Sequence, residues 1–333
     1  MRAAIKTDKS GEIILQEKEL PKLNSDEVLI QVDYCGVCGS DLHAYKHSKG
    51  YEFVSKPIIL GHEFSGVVVD CLDASYEHLK GKSVIVEPMN YCGKCENCVN
   101  GRKSICTQNK VMGLHFDGGM AQFVKTEARY VREIPNGIPL QLAALSEPMS
   151  VAVHAVRQSG EISKSDTILV QGPGIIGFFV SVILAQKGAK VYLSGLEKDY
   201  ESRLSKCQKF GVIPHIVESG NLGEKVDIVF ECSGSNAAVK SGFSSLKKGG
   251  KAIFVALYEK ETALFLTELV RNEVFINTSY GSNPEDFNEA FVVLKLLSEQ
   301  LMDIMTIYPL TDVSQAFEDG LNQVVLKPVI SFC

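Results

Sequence analysis

The sequence predicts an α/β chain in two parts: a mostly β part followed by a doubly wound parallel α/β part. Three observations carry this. Apolar and polar residues alternate in short runs broken by turn residues, with almost no helical periodicity before residue 140. From Thr167 to Ser194 a strand run, a glycine-rich turn, a long apolar helix and a second strand run follow one another. The length, 333 residues, exceeds what one core usually organises.

Composition narrows the class. Hydrophobic residues make up 45% and charged residues 22%, as in an ordinary soluble globular protein. A net charge of −6 and the absence of Trp argue against a nucleic-acid surface. The longest apolar run, Ile175 to Ala185, is interrupted by Gly177 and Ser181 and falls short of the ~20 residues needed to span a bilayer. The first residues carry charge where a signal peptide needs an apolar core. Ten cysteines in a large chain of this kind point to metal binding or catalysis rather than a disulfide scaffold, so a cytosolic protein is expected.

Taken in order, strands are expected at Arg2–Lys6, Glu12–Gln16, Val28–Asp33, Ile58–Leu60, Phe64–Asp70 and Ser83–Glu87, separated by Gly11, Pro21 and Asn24-Ser25-Asp26. A helical pattern runs from Gln141 to Gln158, with Leu142, Leu145, Met149, Val153 and Val156 on one side and Pro148 marking a break or a start. Strands follow at Thr167–Val170, Lys190–Ser194, Ile213–Val217, Val226–Cys232, Lys251–Leu257 and Val274–Thr278. Asn283-Pro284-Glu285-Asp286 caps a helix to about Glu299, followed by Val313–Leu321 and a last strand at Lys327–Phe332. The domains expected are 1–149 with a cysteine lobe at 88–108, 150–282, and a segment 283–333 that returns to the first domain.

Two stretches carry metal-ligand chemistry. Cys92, Cys95, Cys98 and Cys106 form C-x-x-C-x-x-C-x7-C, with Gly93, Asn97, Asn100 and Gly101 supplying tight turns. Four converging thiolates close a tetrahedron, which describes a structural zinc site. An iron–sulfur cluster is the competing reading, but its usual run has three residues before a fourth cysteine that precedes proline. Cys38-Gly-Ser-Asp-Leu-His and Gly61-His62-Glu63 place one thiol, two imidazoles and two carboxylates within 26 residues. A mixed sulfur, nitrogen and oxygen set suits a catalytic Zn²⁺; a buried Cys38 with a core His62 is the plain alternative. Glu147, at the start of a helix, has its own plain explanation in the macrodipole.

Gly172-Pro173-Gly174-Ile175-Ile176-Gly177 lies between strand and helix, the context that turns a G-x-G-x-x-G into a dinucleotide fingerprint. Its glycines allow a tight turn and close approach of a pyrophosphate to the helix N-terminus.

Together, and in this order, these motifs resemble the zinc-dependent medium-chain dehydrogenases, in particular the sorbitol (polyol) dehydrogenase branch. The resemblance covers essentially the whole chain. It implies a GroES-like catalytic domain, a Rossmann domain for NAD or NADP, two zinc ions per chain, a homodimer or homotetramer, and a catalytic zinc where the domains meet. Cys38 and His62 match catalytic-zinc ligands. Glu147 takes the place that a cysteine holds in the alcohol-dehydrogenase branch, and Glu63 adjoins the metal; which of the two binds directly stays open. Asp41 matches a partner that orients the imidazole, and Ser40 and His43 a proton relay. The implied reaction is oxidation of a secondary alcohol of a polyol or polyol phosphate to the ketose, with zinc as Lewis acid and nicotinamide as hydride acceptor.

The chain departs from the branch at two points. The acid that follows the second strand in NAD-specific folds is absent, and Gly195 and Leu196 stand there, with Arg203 further on; this points to NADP. An arginine common in the Tyr280–Asn283 loop is replaced by Gly281. Tyr45, Leu114 and Phe116 line the substrate pocket by family position. Lys46, His47 and Lys49 read as a solvated loop, His154 as a core residue, and His78, His115 and His215 carry no pattern. Cys71, Cys207, Cys232 and Cys333 read as packing or surface thiols. An L-threonine 3-dehydrogenase is the nearest rival reading, and a cofactor-binding protein without catalysis a remote one.

Overall fold

The computed structural model describes residues 1–332, so Cys333 lies outside the described residues. The chain forms two compact units, Met1–Glu147 with Asn283–Cys333, and Pro148–Ser282.

The first unit is built on a seven-stranded sheet. Its path runs Val131–Glu133, Ser83–Val86, Glu63–Cys71, Glu27–Gly36, Lys327–Ser331 and Met305–Pro309, and Phe123–Glu127 pairs separately with Glu27–Gly36. A three-stranded sheet orders Ile13–Glu17, Arg2–Lys6 and Ile58–Ile59. Alternation lets each strand send one face inward, and Val28, Ile30, Val32, Phe64, Val68 and Ile330 meet in one core. The strand nearest the C-terminus lies antiparallel to Glu27–Gly36, with Val329 opposite Gly36 and Ile330 opposite Cys35.

That central pairing positions the chemistry. Gly36 lies opposite Glu63, so Cys38, two residues beyond, and His62, one residue before, leave the sheet at the same end. Cys38 then becomes the N-cap of a helix, Gly39–Lys46. That helix was not expected. It buries only Asp41, Ala44 and Tyr45, one of them charged, so no apolar stripe marks it in the sequence. The Gln141–Gln158 pattern resolves into two helices, Leu140–Ala143 and Ser146–Gln158, and Glu147 falls in the first turn of the second.

The second unit is a six-stranded sheet with every neighbour parallel. In space its order is Ile213–Ile216, Lys190–Gly195, Thr167–Gln171, Val226–Glu231, Leu246–Phe254 and Phe275–Thr278. In chain order this is 3-2-1-4-5-6, the doubly wound arrangement whose switch point follows the first strand. The helix Ile175–Gln186 begins there, with Gly174 as its N-cap.

Candidate active site

The cysteine lobe assembles from one short stretch. Sulfurs of Cys92, Cys95, Cys98 and Cys106 all lie within 4.8 Å of one another, and the Cys95–Cys106 pair is 3.8 Å apart. Tetrahedral zinc with Zn–S of about 2.3 Å requires sulfur separations of about 3.8 Å, so the residues fit the ion. Backbone N–H groups point at the sulfurs: Cys92 and Gln108 donate to Cys106 Sγ, and Cys95 donates to Cys92 Sγ, each at 3.3 Å. Such donors stabilise thiolate, and the N–H groups of Thr107 and Cys98 bring the Cys95 thiol down to about 5.

The second cluster draws on four separate parts of the first unit. Cys38, His62 and Glu63 present ligand atoms within 4.8 Å of one another. Ser40 Oγ lies 3.3 Å from His62 Nε2, while Nδ1, with Asp41 Oδ1 3.6 Å away, makes no hydrogen bond. Asp41 is fully buried and also accepts the N–H groups of Cys38 at 2.9 Å and Gly61 at 3.2 Å. It therefore pins the helix start and the His62 segment together and sets a carboxyl group beside the ring.

Glu147 sits beside this cluster. Ser65, on the strand that Glu63 opens, donates to the carbonyl of Leu140 at 2.6 Å and ties in the segment leading to it. Burial pushes the Glu147 carboxyl up to about 7, with His62 pulling against that and Glu63 adding to it. Burial also opposes the His62 cation, yet Asp41, Cys38 and Glu147 outweigh it and hold the imidazole well above its ordinary range.

A residue without a sequence signature of its own completes the cluster. Lys327, 1% exposed, is ion-paired to Glu63 and donates to the carbonyl of Val37 at 2.9 Å. Gly36 makes room for this pair, because a Cβ there would run into the Glu63 carboxylate and the Lys327 side chain. The hint in the sequence is a lysine opening the strand Lys327–Ser331 just before Pro328, Val329 and Ile330. One thiol (Cys38) and three carboxyl groups (Asp41, Glu63, Glu147) gather around one ammonium and one imidazole. A divalent cation fits that mixed sulfur, nitrogen and oxygen donor set.

Other expected positions are placed as follows. His43 is half-buried and stacks on Tyr51 with 5.1 Å between ring centroids. Tyr45, expected in the substrate pocket, is corrected to a core residue: it is 4% exposed, packs on Phe317, and its hydroxyl meets Glu318 at 3.4 Å. Leu114 is buried in the same core. Phe116 lines a cavity of about 460 Å³ together with Met1, Ile59, Phe123 and Thr126. None of the cavity's lining residues belongs to the Cys38 cluster. His154 is 7% exposed, with Nε2 3.3 Å from Gln158. Cys71 and Cys207 are buried and Cys232 half-buried.

In the second unit the glycine fingerprint is enforced by contact. A Cβ on Gly172 would press on Ser233 at 2.8 Å, and one on Gly177 would strike the carbonyl of Gly172. Sequence reading missed the residue that holds Ser233 in place. Glu231, 2% exposed, accepts the N–H groups of Ser233 at 2.8 Å and Gly234 at 3.2 Å and the hydroxyls of Ser233 and Tyr258. Gly195 ends its strand against Pro173, whose Cγ would lie 2.7 Å from any Cβ, so no acidic side chain fits there. Arg203 is half-buried in the short π-helix Tyr200–Leu204.

Comparison with known proteins gives the family and the fold. Residues 24–136 match the alcohol dehydrogenase GroES-like domain, and residues 176–296 match the zinc-binding dehydrogenase domain. Sorbitol dehydrogenase of Halalkalibacterium halodurans is 32% identical, covering 92% of this chain and 91% of its own. D-arabitol-phosphate dehydrogenase of Enterococcus avium is 32% identical over 93% and 91%. A zinc-binding dehydrogenase of Sinorhizobium meliloti 1021, solved with NADP, superposes with a TM-score of 0.89 at 23% identity, covering 99% of this chain and 98% of that one, a likeness of fold. Two family-model domains, a GroES-like unit beside a doubly wound one, and relatives matched nearly end to end make this chain a member of the zinc-dependent medium-chain dehydrogenase family, in its sorbitol (polyol) dehydrogenase-like branch.

Proposed function

We propose that this enzyme oxidises a secondary hydroxyl of a polyol or polyol phosphate to the ketose, with NADP as hydride acceptor and two zinc ions per chain. The observation that carries the reading is the mixed-donor cluster of Cys38, His62 and Glu63, with Glu147 beside it and Ser40 3.3 Å from the His62 ring. Carboxylates in place of a second thiolate make a harder, more polar site, which suits a polyhydroxylated substrate. The curated relatives named for sorbitol and for arabitol phosphate support the same class.

When bound, zinc supplies Lewis acidity that lowers the pKa of the substrate hydroxyl, and the nicotinamide supplies the hydride acceptor. Cys38, His62 and one or both of Glu63 and Glu147 are the residues to hold the metal. Ser40 accepts the hydroxyl proton. His43, one turn further along the same helix, passes it toward solvent. Asp41 keeps the His62 ring aligned throughout. Gly172, Gly174, Ile175, Ile176 and Gly177 cradle the pyrophosphate. With no acidic side chain at Gly195 a 2′-phosphate meets no repulsion there, and Arg203 is its counter-charge.

The enzyme assembles as a homodimer or homotetramer, with the edge of its parallel sheet as a pairing surface. All four residues of Phe275–Thr278 are exposed, flanked by exposed Phe265, Leu266 and Val270, and an uncovered apolar edge strand is a template for pairing with a second copy. No helix among the described residues is long and apolar enough to cross a membrane. The nine described cysteines are all unpaired, which fits a reducing cytosol.

A reduced-cofactor absorbance assay across polyols, polyol phosphates and threonine, with NAD and NADP, tests the reading. Expected is kcat/KM for a polyol or its phosphate at least about tenfold above threonine, one strong contact's worth, with NADP preferred. Threonine as best substrate moves the enzyme to the rival reading, and NAD equal to or better than NADP overturns the cofactor assignment.

A further inference from the structure

Four rings form a continuous row on the first unit. His43 stacks on Tyr51 with planes 14° apart, Tyr51 lies 5.9 Å from Phe53 at 28°, and Phe53 meets His115 at 4.8 Å and 31°. Phe53 is 49% exposed although it has a ring neighbour on either side. A single exposed aromatic is unremarkable; an ordered aromatic face left in water is not.

Both ends of the row belong to segments tied to the His62 segment. His43 lies one helical turn from Ser40, which contacts the His62 ring. His115 belongs to a loop laid directly on the His62 segment. Gly118 N–H donates to the carbonyl of Ile59 and Gly119 N–H to that of Gly61, both at 2.8 Å, and a Cβ on Gly113 would press on Gly61 at 2.8 Å.

The tautomer of His115 is set by its surroundings. Its Nδ1 accepts the N–H of Val111 at 3.0 Å. A nitrogen that accepts carries no proton, so the neutral ring carries its proton on Nε2 and presents an N–H donor. An aromatic face ending in one oriented donor complements a ligand with C–H bonds along its length and an oxygen acceptor at its end.

We propose that Phe53 and His115 form the specificity wall for the part of the polyol that is not oxidised. The carbon chain lies against the Phe53 ring, and a distal hydroxyl or phosphate oxygen accepts from His115 Nε2–H. This deepens the polyol reading above and rests on it. A short alcohol makes neither contact.

The test compares arabitol, arabitol phosphate and 2-propanol as substrates of the zinc-loaded wild type, His115→Asn and Phe53→Leu. Asparagine keeps an oxygen that can accept the Val111 N–H but offers nothing where Nε2–H stood. One neutral hydrogen bond corresponds to about fivefold and one charge-assisted bond to tenfold or more. His115→Asn is expected to raise KM for arabitol about fivefold, with kcat changing less. Its loss of kcat/KM on arabitol is expected to exceed its loss on 2-propanol by about the same factor. A larger loss on arabitol phosphate identifies phosphate as the acceptor, and equal losses identify a hydroxyl. Phe53→Leu is expected to discriminate in the same direction, and unchanged zinc content and melting temperature exclude a folding effect. Equal losses on all three substrates, or none, overturn the wall. A wild type that turns over 2-propanol but neither polyol overturns the polyol reading itself.

Discussion

The two metal-ligand clusters of the first unit solve the same problem in opposite ways. The cysteine lobe uses four identical ligands from residues 92–106, partly open to water and surrounded by backbone N–H donors. The Cys38 cluster mixes sulfur, nitrogen and oxygen, buries its charges and recruits Glu147 and Lys327 from distant parts of the chain. Four thiolates satisfy a zinc ion completely, so the lobe leaves no position for a substrate. The mixed cluster keeps unequal ligands, the composition proposed above for the reactive site. Closure gives stability, and incompleteness gives chemistry.

The largest expected effects separate the two directly. Cys38→Ser removes a ligand of the reactive cluster. It should lower kcat/KM at least ~10³-fold, the equivalent of the several kcal/mol a Lewis-acid metal supplies. The melting temperature should stay close to wild type. Cys95→Ser should do the reverse, with one zinc lost per chain, a lower melting temperature, and residual activity in whatever stays folded. Metal content, melting and steady-state kinetics on both variants form the comparison. Wild-type turnover by Cys38→Ser would remove the catalytic assignment.

How far each cluster is legible in the sequence follows from the same contrast. The lobe reads directly because all its ligands fall within fifteen positions and turn residues fill the gaps. The Gly172–Gly177 turn reads directly because strand and helix flank it. Cys38 and His62 read as candidates only, since the pairing of Gly36 with Glu63 that joins them is a long-range register. Glu147 is ambiguous for another reason: an acid in a helix's first turn is expected anyway. Lys327 has no local signature of its role, because its partner lies 264 residues earlier and no periodicity connects them. Phe53 and His115 are silent for the same reason, and the helix that begins at Gly39 because its buried face includes an aspartate.

Lys327 also allows the cluster to be tested without touching a metal ligand. Lys327→Met should leave the Glu63 carboxylate buried with its cation gone, a cost of about 3–5 kcal/mol. Urea unfolding of the zinc-stripped protein measures it. Zinc-loaded protein should lose less, because the metal supplies positive charge to the same carboxylate. A variant within about 1 kcal/mol of wild type in both forms, the range of a surface pair, would mean the pair does not balance the cluster.

The smallest expected effect comes from an ion pair at the surface of the second unit, and it calibrates the buried one. Asp227 accepts Lys247 Nζ at 2.8 Å on both carboxylate oxygens and the N–H of Thr167 at 2.9 Å, with side chains 31% and 47% exposed for Asp227 and Lys247. Burial favours the neutral acid, but Lys247 and the Thr167 N–H outweigh it and hold the carboxyl below its ordinary 3.8. A carboxylate lowered in the folded state contributes its stability above the unfolded value and loses it as pH falls through the folded one. Water screens the pair, so Asp227→Asn should cost only about 0.5 kcal/mol at pH 7. That gap should hold as pH falls toward ~4 and close below it, where wild type and variant are both neutral at this position. Urea midpoints across that range measure it. A gap that widens on acidification would reverse the assigned sign. A gap as large as that of Lys327→Met would mean that burial is not what separates the two pairs.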